Sequence, residues 1–473
     1  MINVNVTDTN FEAIIMTDLE TLHKQSPWLW DPAAINTDPH LLRLAEFPLQ
    51  HQEKNFLNYT FEDGVYIVTG PRQIGKSTHL KLFIQRTLQE NNHDCFFYFN
   101  CDLLDSKKEI VALVEDYLTT FPSQQRRYIF LDEVTTVKDS FLAIKYLVDS
   151  GHHKNITYVL TGSNTMSVKK TGEYLPGRRG KGIDFYFKPL NFRQALQLQH
   201  PQVSLSVDLK STETELFKLD KTMNLDEALK NYLKTGGFPR VMNEYNMQQK
   251  ISYDIFTIYR SWIISEIAKS DKKEYIAKHL LHYCLKGLTA DVSYQSITQN
   301  IGIGSRNTVV NYIDFFCHVF VLSQANHLNL ETGRIMYRKN KKIYFNDPFI
   351  YSVIDAWLNG RPEQDFSYLN DPVIQSQLIE NLVYLKLKEH DKDVGFTQQK
   401  KEIDFITNDF AIEVKYQNNI TASDCQPVLN ADTDKQKIVL TKNTFEKRGE
   451  LRLIPVKYFL LMALDGDPAS SAG

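Results

Sequence analysis

Cysteine is scarce in this chain. Its 473 residues hold five, Cys95, Cys101, Cys284, Cys317 and Cys425, and no two form a CxxC pair. Such spacing suggests neither a disulfide framework nor a zinc site, and a reducing cytosol is the simplest compartment. Long apolar runs are missing too: no stretch of about 18 apolar residues occurs, so no membrane-spanning helix is expected. Met1 to Asn10 is polar and lacks a basic segment followed by an apolar one, so no signal peptide is expected and the location reads as cytoplasmic. Charge of one sign is not in excess. The formal net charge is -3, which excludes a protein-wide basic field and leaves any nucleic-acid contact to local patches. No internal repeat occurs.

What is present is ordinary for a soluble globular chain, with 42% hydrophobic and 23% charged residues. At roughly 100–200 residues per domain, the length suggests two to four domains. Residues before 60 carry no motif and include the loop-like Pro27-Trp-Leu-Trp-Asp-Pro32. From Val65 short apolar runs (Val65–Thr69, Cys95–Asn100, Tyr128–Leu131, Thr157–Leu160) alternate with amphipathic stretches, as in a parallel sheet covered by helices on both faces. A Ser/Thr/Lys-rich connector or lid segment follows near Gln202 to Thr222, then helical periodicity from Leu225 to about Leu288. Mixed α/β patterning returns from about Asp347.

The residues Gly70, Pro71, Arg72, Gln73, Ile74, Gly75, Lys76 and Ser77 fit G-x-x-x-x-G-K-[ST], and Thr78 continues into a helix. Placed between a strand and a helix, such a loop turns backbone N–H groups and a helix dipole toward phosphate oxygens. It points to ATP: Lys76 should meet the β- and γ-phosphates and Ser77 should ligate Mg²⁺. Tyr128-Ile-Phe-Leu-Asp-Glu133 is a buried strand ending in two acids. There Asp132 would hold Mg²⁺ and Glu133 would act as general base toward the attacking water.

These motifs resemble a prokaryotic family of AAA-type ATPases fused to a restriction-endonuclease-like C-terminal domain. Further carriers of the resemblance are Thr161-Gly-Ser163, Pro176-Gly-Arg178, Phe187-Lys-Pro-Leu-Asn-Phe-Arg193 (with Asn191 where the family has serine) and Thr235-Gly-Gly-Phe-Pro239. Ile343-Tyr-Phe-Asn-Asp-Pro348, Ile379-Glu-Asn-Leu-Val383, Lys401-Glu-Ile-Asp-Phe405 and Ile412-Glu-Val-Lys415 match the C-terminal part. The resemblance implies that Ser163 or Asn164 senses the γ-phosphate or the lytic water. It implies that Arg178, with Arg179 as fallback, reaches a neighbouring subunit's nucleotide, and hence a homo-oligomer. Each has a plain alternative, a helix N-cap for the first and a basic surface loop for the second.

Glu380, Asp404, Glu413 and Lys415 form the set that PD-(D/E)xK nucleases use. Residues two apart on a strand share a face, so Glu413 and Lys415 should point into one cleft. Carboxylates from Glu380, Asp404 and Glu413 would suit Mg²⁺, and Lys415 would position water or stabilise developing charge. The alternative is a solvated Glu–Lys face. Ser293 to Gly302, and a second helix from Ser305 to about Phe320 with Val309, Tyr312, Ile313 and Phe316 on one face, read as helix-turn-helix. Arg306 and Asn307 would meet bases, and the basic hairpin Arg334-Ile-Met-Tyr-Arg-Lys-Asn-Lys-Lys342 would serve as a wing on DNA phosphates. A packing module is the alternative.

The expected fold is multidomain α/β: an AAA-type P-loop NTPase core with helical lid, winged helix, and restriction-endonuclease-like α/β domain. The expected boundaries are 1–59 lead-in, 60–200 ATPase core, 201–290 helical lid, 291–346 winged helix-turn-helix, 347–464 nuclease-like domain and 465–473 disordered tail. The expected function is an ATPase acting on DNA whose nucleotide state controls a nuclease-like module; the rival is a non-cleaving switch whose C-terminal domain only binds.

Overall fold

The computed structural model describes residues 20–152, 154–163, 175–398 and 402–464. Asn164, Lys401 and the tail 465–473 lie outside the described residues. The chain divides into two compact units, one ending at Lys188 and one beginning at Pro189.

Among the described residues the first unit is built on five strands: Gly64–Thr69 (β1), Phe96–Asn100 (β2), Arg127–Asp132 (β3), Ile156–Gly162 (β4) and Asp184–Tyr186 (β5). They lie in the order β2-β3-β4-β1-β5, and every pairing is parallel. A parallel sheet needs cover on both faces, which is why β1, β2 and β4 are apolar along most of their length rather than alternating. Helices Lys76–Thr87, Lys107–Thr120 and Ser140–Asp149 connect the strands. Because β4 is inserted between β3 and β1, the carboxyl ends of all three strands are neighbours. Open α/β sheets bind ligands beyond such carboxyl ends.

The lead-in, which carries no motif, turns out to belong to this unit. Strand β2 is an edge, and an unpaired edge is a liability. Here it is covered by side chains of the lead-in: Trp28 Nε1 donates to Phe96 O at 2.7 Å and Ser26 Oγ to Tyr98 O at 2.6 Å. Ser26 Oγ also accepts from Tyr98 N at 2.9 Å, and Gln25 Oε1 accepts from Asn100 N at 2.6 Å. Trp28 is fully buried. The stretch expected as loop is two 3-10 helices, Pro27–Leu29 and Pro32–Thr37.

In the second unit, helices Phe192–Gln199, Glu213–Met223, Leu225–Thr235, Pro239–Gln248, Tyr253–Lys269 and Glu274–Lys286 precede the helix pair Tyr294–Ile301 and Arg306–His318. Val309, Tyr312, Ile313 and Phe316 are buried, as the periodicity required. Ser305 sits at the N-cap of the second helix without a side-chain cap bond.

An eight-stranded sheet follows: Leu322–His327 (β6), Lys341–Phe345 (β7), Gly395–Gln398 (β8), Glu402–Ile406 (β9), Phe410–Lys415 (β10), Gln436–Thr441 (β11), Glu446–Arg448 (β12) and Leu451–Pro455 (β13). The order is β12-β13-β11-β10-β9-β8-β6-β7. The expected wing does not stand apart. Its strands β6 and β7 are antiparallel partners within this sheet, with β6 parallel to β8, so the boundary expected at 346/347 runs through one continuous sheet. Shared ladder hydrogen bonds make the hairpin and the expected nuclease-like domain one body. Among the described residues no helix is long and apolar enough to cross a membrane.

Candidate active site

Strand β1 ends at Thr69, and the loop from Gly70 turns into the helix at Lys76. Gly75, the N-cap, has φ +95°, a left-handed conformation that favours glycine. Lys76 is buried at 4% exposure. Its ammonium donates to Gly70 O at 2.9 Å and Pro71 O at 3.1 Å, and lies 3.6 Å from Glu133 Oε1. Ser77 and Thr78 sit half-buried in the first helical turn.

Asp132 ends β3 and is 1% exposed. Tyr98 O–H from β2 donates to its Oδ2 at 2.7 Å, and the Thr161 hydroxyl from β4 donates to Oδ1. Thr161 Oγ1 in turn accepts from Glu133 N at 2.8 Å. One hydroxyl therefore orients both acids. Glu133 has φ +48°, a conformation costly for a residue with a side chain, and its carbonyl is held by the Thr136 hydroxyl at 2.8 Å. Its Oε2 is buried with no hydrogen-bond partner among the described residues.

His79 braces the loop. One ring nitrogen, Nε2, accepts from Glu53 N at 3.0 Å, which places the proton on Nδ1, 2.8 Å from Gly75 O. Burial pushes its pKa down to about 4, so the ring is neutral.

Of the other candidates in this unit, Ser163 is buried beyond the end of β4. Asn164 lies outside the described residues. Arg178 is partly exposed and paired with Asp149 at 2.5 Å. Arg179, the fallback, bonds Asp184 at 2.6 Å and Val65 O at 3.3 Å. Sequence reading missed Tyr98 and the role of Thr161. Both are interior residues of apolar strands, and only the register of neighbouring strands reveals that their hydroxyls meet Asp132.

The second candidate site lies in the eight-stranded sheet. β9 and β10 are antiparallel with Ile412 opposite Phe405, and one further step brings Asp404 opposite Glu413. Asp404 Oδ2 accepts from Val414 N at 2.9 Å, and Lys415 Nζ pairs with Glu413 Oε1 at 2.6 Å. The strand face is not solvated: Glu413 is only 4% exposed, and Ile412 and Val414 are buried too. Glu380 joins from helix Pro372–His390. Burial, reinforced by the Asp404 carboxylate, pushes the Glu380 and Glu413 carboxyls up, while Lys342 beside the first and Lys415 beside the second oppose the shift.

The four predicted residues thus converge, but on a group the sequence reading had placed elsewhere. Lys342, expected on an exposed wing, is 1% exposed on β7. Its ammonium lies 3.2 Å from Glu380, 2.6 Å from Glu402 and 2.9 Å from Asp404. Lys341 is buried as well, donating to Tyr337 O at 3.0 Å and Lys339 O at 2.9 Å. Neither can serve as a phosphate contact. Arg334, Arg338 and Lys339 remain exposed in the hairpin loop with Tyr337, and Arg306 and Asn307 are exposed at the start of their helix.

Residues 62–196 match the AAA domain family model, and residues 226–362 match a domain of unknown function, DUF8612. An uncharacterized protein of Methanocaldococcus jannaschii is 22% identical over 381 residues, 76% of each chain. Among solved structures, the Aeropyrum pernix ORC1 protein in complex with DNA aligns with TM-score 0.32 and 13% identity, over 69% of this chain and 95% of that one. The Thermotoga maritima RuvB Holliday junction branch migration motor aligns with TM-score 0.29 and 14% identity, over 61% and 89%.

Proposed function

We propose that this chain, whose residues 62–196 form an AAA-type P-loop ATPase domain, hydrolyses ATP with Mg²⁺ and uses nucleotide state to govern binding of DNA by its second unit. The observation that carries the hydrolysis is the pair Asp132 and Glu133. One acid is oriented by two hydroxyls, and the other presents an unpartnered oxygen beside Lys76.

The residues fit the nucleotide and its metal ion. Ser77 and Asp132 would hold Mg²⁺, which when bound neutralises charge on the phosphates. Lys76 exchanges its two loop carbonyls for phosphate oxygens, a trade of like hydrogen bonds that strengthens because the new partner is charged. Glu133 orients water and accepts its proton at Oε2. Thr161 keeps the Glu133 backbone in register with Asp132. Arg178, freed from Asp149, is the candidate to act across a subunit interface.

Tyr98 acts here as a positioning residue. Tyr98→Phe removes one donor from Asp132 and should raise the Mg²⁺ concentration for half-maximal ATPase activity about 10-fold, the lower end for removal of an outer-shell partner. Stability should fall as well, by about 1.5–3 kcal/mol, as for loss of a buried hydrogen bond to a charged group. An unchanged Mg²⁺ requirement would remove Tyr98 from the site.

DNA binding is supported by the exposed Arg306 and Asn307 at a helix start and by Arg338 and Lys339 in the neighbouring hairpin loop. Replacing Arg306, Arg338 and Lys339 with alanine should weaken binding to duplexes of any sequence. The slope of log affinity against log salt should flatten by about 0.9 for each phosphate that the variant no longer neutralises. Binding with the wild-type slope would leave this face a solvated surface. Of the two readings of the C-terminal cluster, the buried Lys342 favours the one that does not cleave.

A further inference from the structure

The carboxylates of the second unit invite a metal-dependent reading, so their fit to a metal is decisive. Ligands of one Mg²⁺ must stand about 2.0–2.1 Å from it in near-octahedral array. Among the described residues no group of three or more His, Cys, Asp or Glu is arranged to hold a metal ion. Three carboxylates aim instead at one ammonium, that of Lys342, at 2.6 to 3.2 Å. Tyr344 O–H adds a 3.0 Å bond to Glu380 Oε1, on the same oxygen that meets Lys342. Glu413, the acid that Lys342 does not bond, leaves Oε2 buried and without a hydrogen-bond partner among the described residues.

We propose that Lys342 is the resident cation of this cluster: its ammonium takes the position a divalent ion would need, so the module has no divalent-metal centre and does not break phosphodiester bonds. The physical reason is competition. A buried carboxylate group needs a compensating positive charge. A covalently attached ammonium is always at hand, and strand β7 carries it into the sheet through ladder pairing with β6. Burial alone would draw the lysine toward neutrality, but Asp404, Tyr344, Glu380 and Glu402 outweigh it and hold it charged. The knot ties β7, β9 and helix Pro372–His390 together, which makes it a clamp within the unit rather than a reaction centre. Nothing in this inference depends on ATP hydrolysis.

The test is Mn²⁺ binding read by electron paramagnetic resonance without nucleotide, on the full chain. Wild type and Asp404→Asn should bind Mn²⁺ equally, and Lys342→Met should gain one site that disappears again in the Lys342→Met, Asp404→Asn double variant. A wild-type site abolished by Asp404→Asn overturns the proposal. So does a folded Lys342→Met protein that gains no site, since the ammonium would then not be the obstacle. If Lys342→Met fails to fold by circular dichroism, the comparison of wild type with Asp404→Asn still decides. Strand breaks by wild type with Mn²⁺, absent in Asp404→Asn, would overturn it independently.

Discussion

Glu133→Gln should bind ATP and lose turnover by about 10²–10⁴-fold, the usual worth of a positioned general base. The amide keeps the shape of the carboxylate but cannot accept the water's proton. The backbone bond from Glu133 N to Thr161 survives the change, so Asp132 and the metal site keep their orientation. Lys76→Ala should fail earlier, at binding, because the buried ammonium is the cation nearest the loop carbonyls. Filter binding of labelled ATP, set beside phosphate release, separates the two. Equal ATPase rates in all three proteins would remove both assignments. A third variant tests assembly. If Arg178 acts in trans, Arg178→Ala should be as impaired as Glu133→Gln. Mixing the two should restore part of the activity, because an Arg178→Ala site with intact Glu133 meets an intact finger. Mixtures no more active than their parts would confine Arg178 to its pair with Asp149.

The first site was legible in the sequence because its chemistry is local. A phosphate loop must be contiguous, and a strand that ends in two acids announces itself. The strands came out within a residue or two of the apolar runs: Gly64–Thr69 against Val65–Thr69, Ile156–Gly162 against Thr157–Leu160. What was not legible is long-range. Tyr98 looks like any aromatic in an apolar strand until the parallel register of β2 and β3 brings it toward Asp132. Lys342 was misread for the opposite reason. It closes a run with Arg338, Lys339 and Lys341, and charge runs are ordinarily solvated. Its alternation with Tyr344 on β7 was the available signal: a lysine two residues from a buried tyrosine shares its face. The lead-in carried no motif because its task is to cover an edge, and Trp28, Ser26 and Gln25 do that without any fixed pattern.

Gly236→Ala should be strongly destabilising to the second unit although it touches neither candidate site. Helix Leu225–Thr235 stops at Gly236, which has φ +57° and ψ -158°, a combination essentially confined to glycine and worth about 1–3 kcal/mol of strain for any other residue. Space is the second obstacle. A Cβ at Gly236 would stand 1.8 Å from Asp347 Oδ1, so the carboxylate must move. That carboxylate is fully engaged: Oδ2 accepts from Gly237 N at 2.7 Å, and Oδ1 from Phe349 N at 2.7 Å at the start of helix Pro348–Asn359. Displacing it leaves buried N–H groups unmet, each at a cost of about 1–3 kcal/mol. The sum, on the order of 3–9 kcal/mol, is a large part of a typical stability of about 5–15 kcal/mol. Gly360→Ala is the control. Its φ is +64°, equally left-handed, but no atom lies within 4 Å of an added Cβ, so only backbone strain of about 1–2 kcal/mol applies. Hydrogen exchange over Pro348–Asn359 reads both. Gly236→Ala should lose most of its protection and Gly360→Ala a small part. Equal loss in the two would mean that Asp347 relaxes freely, and that the Gly236-Gly237 turn and the helix it caps are not held together by this carboxylate.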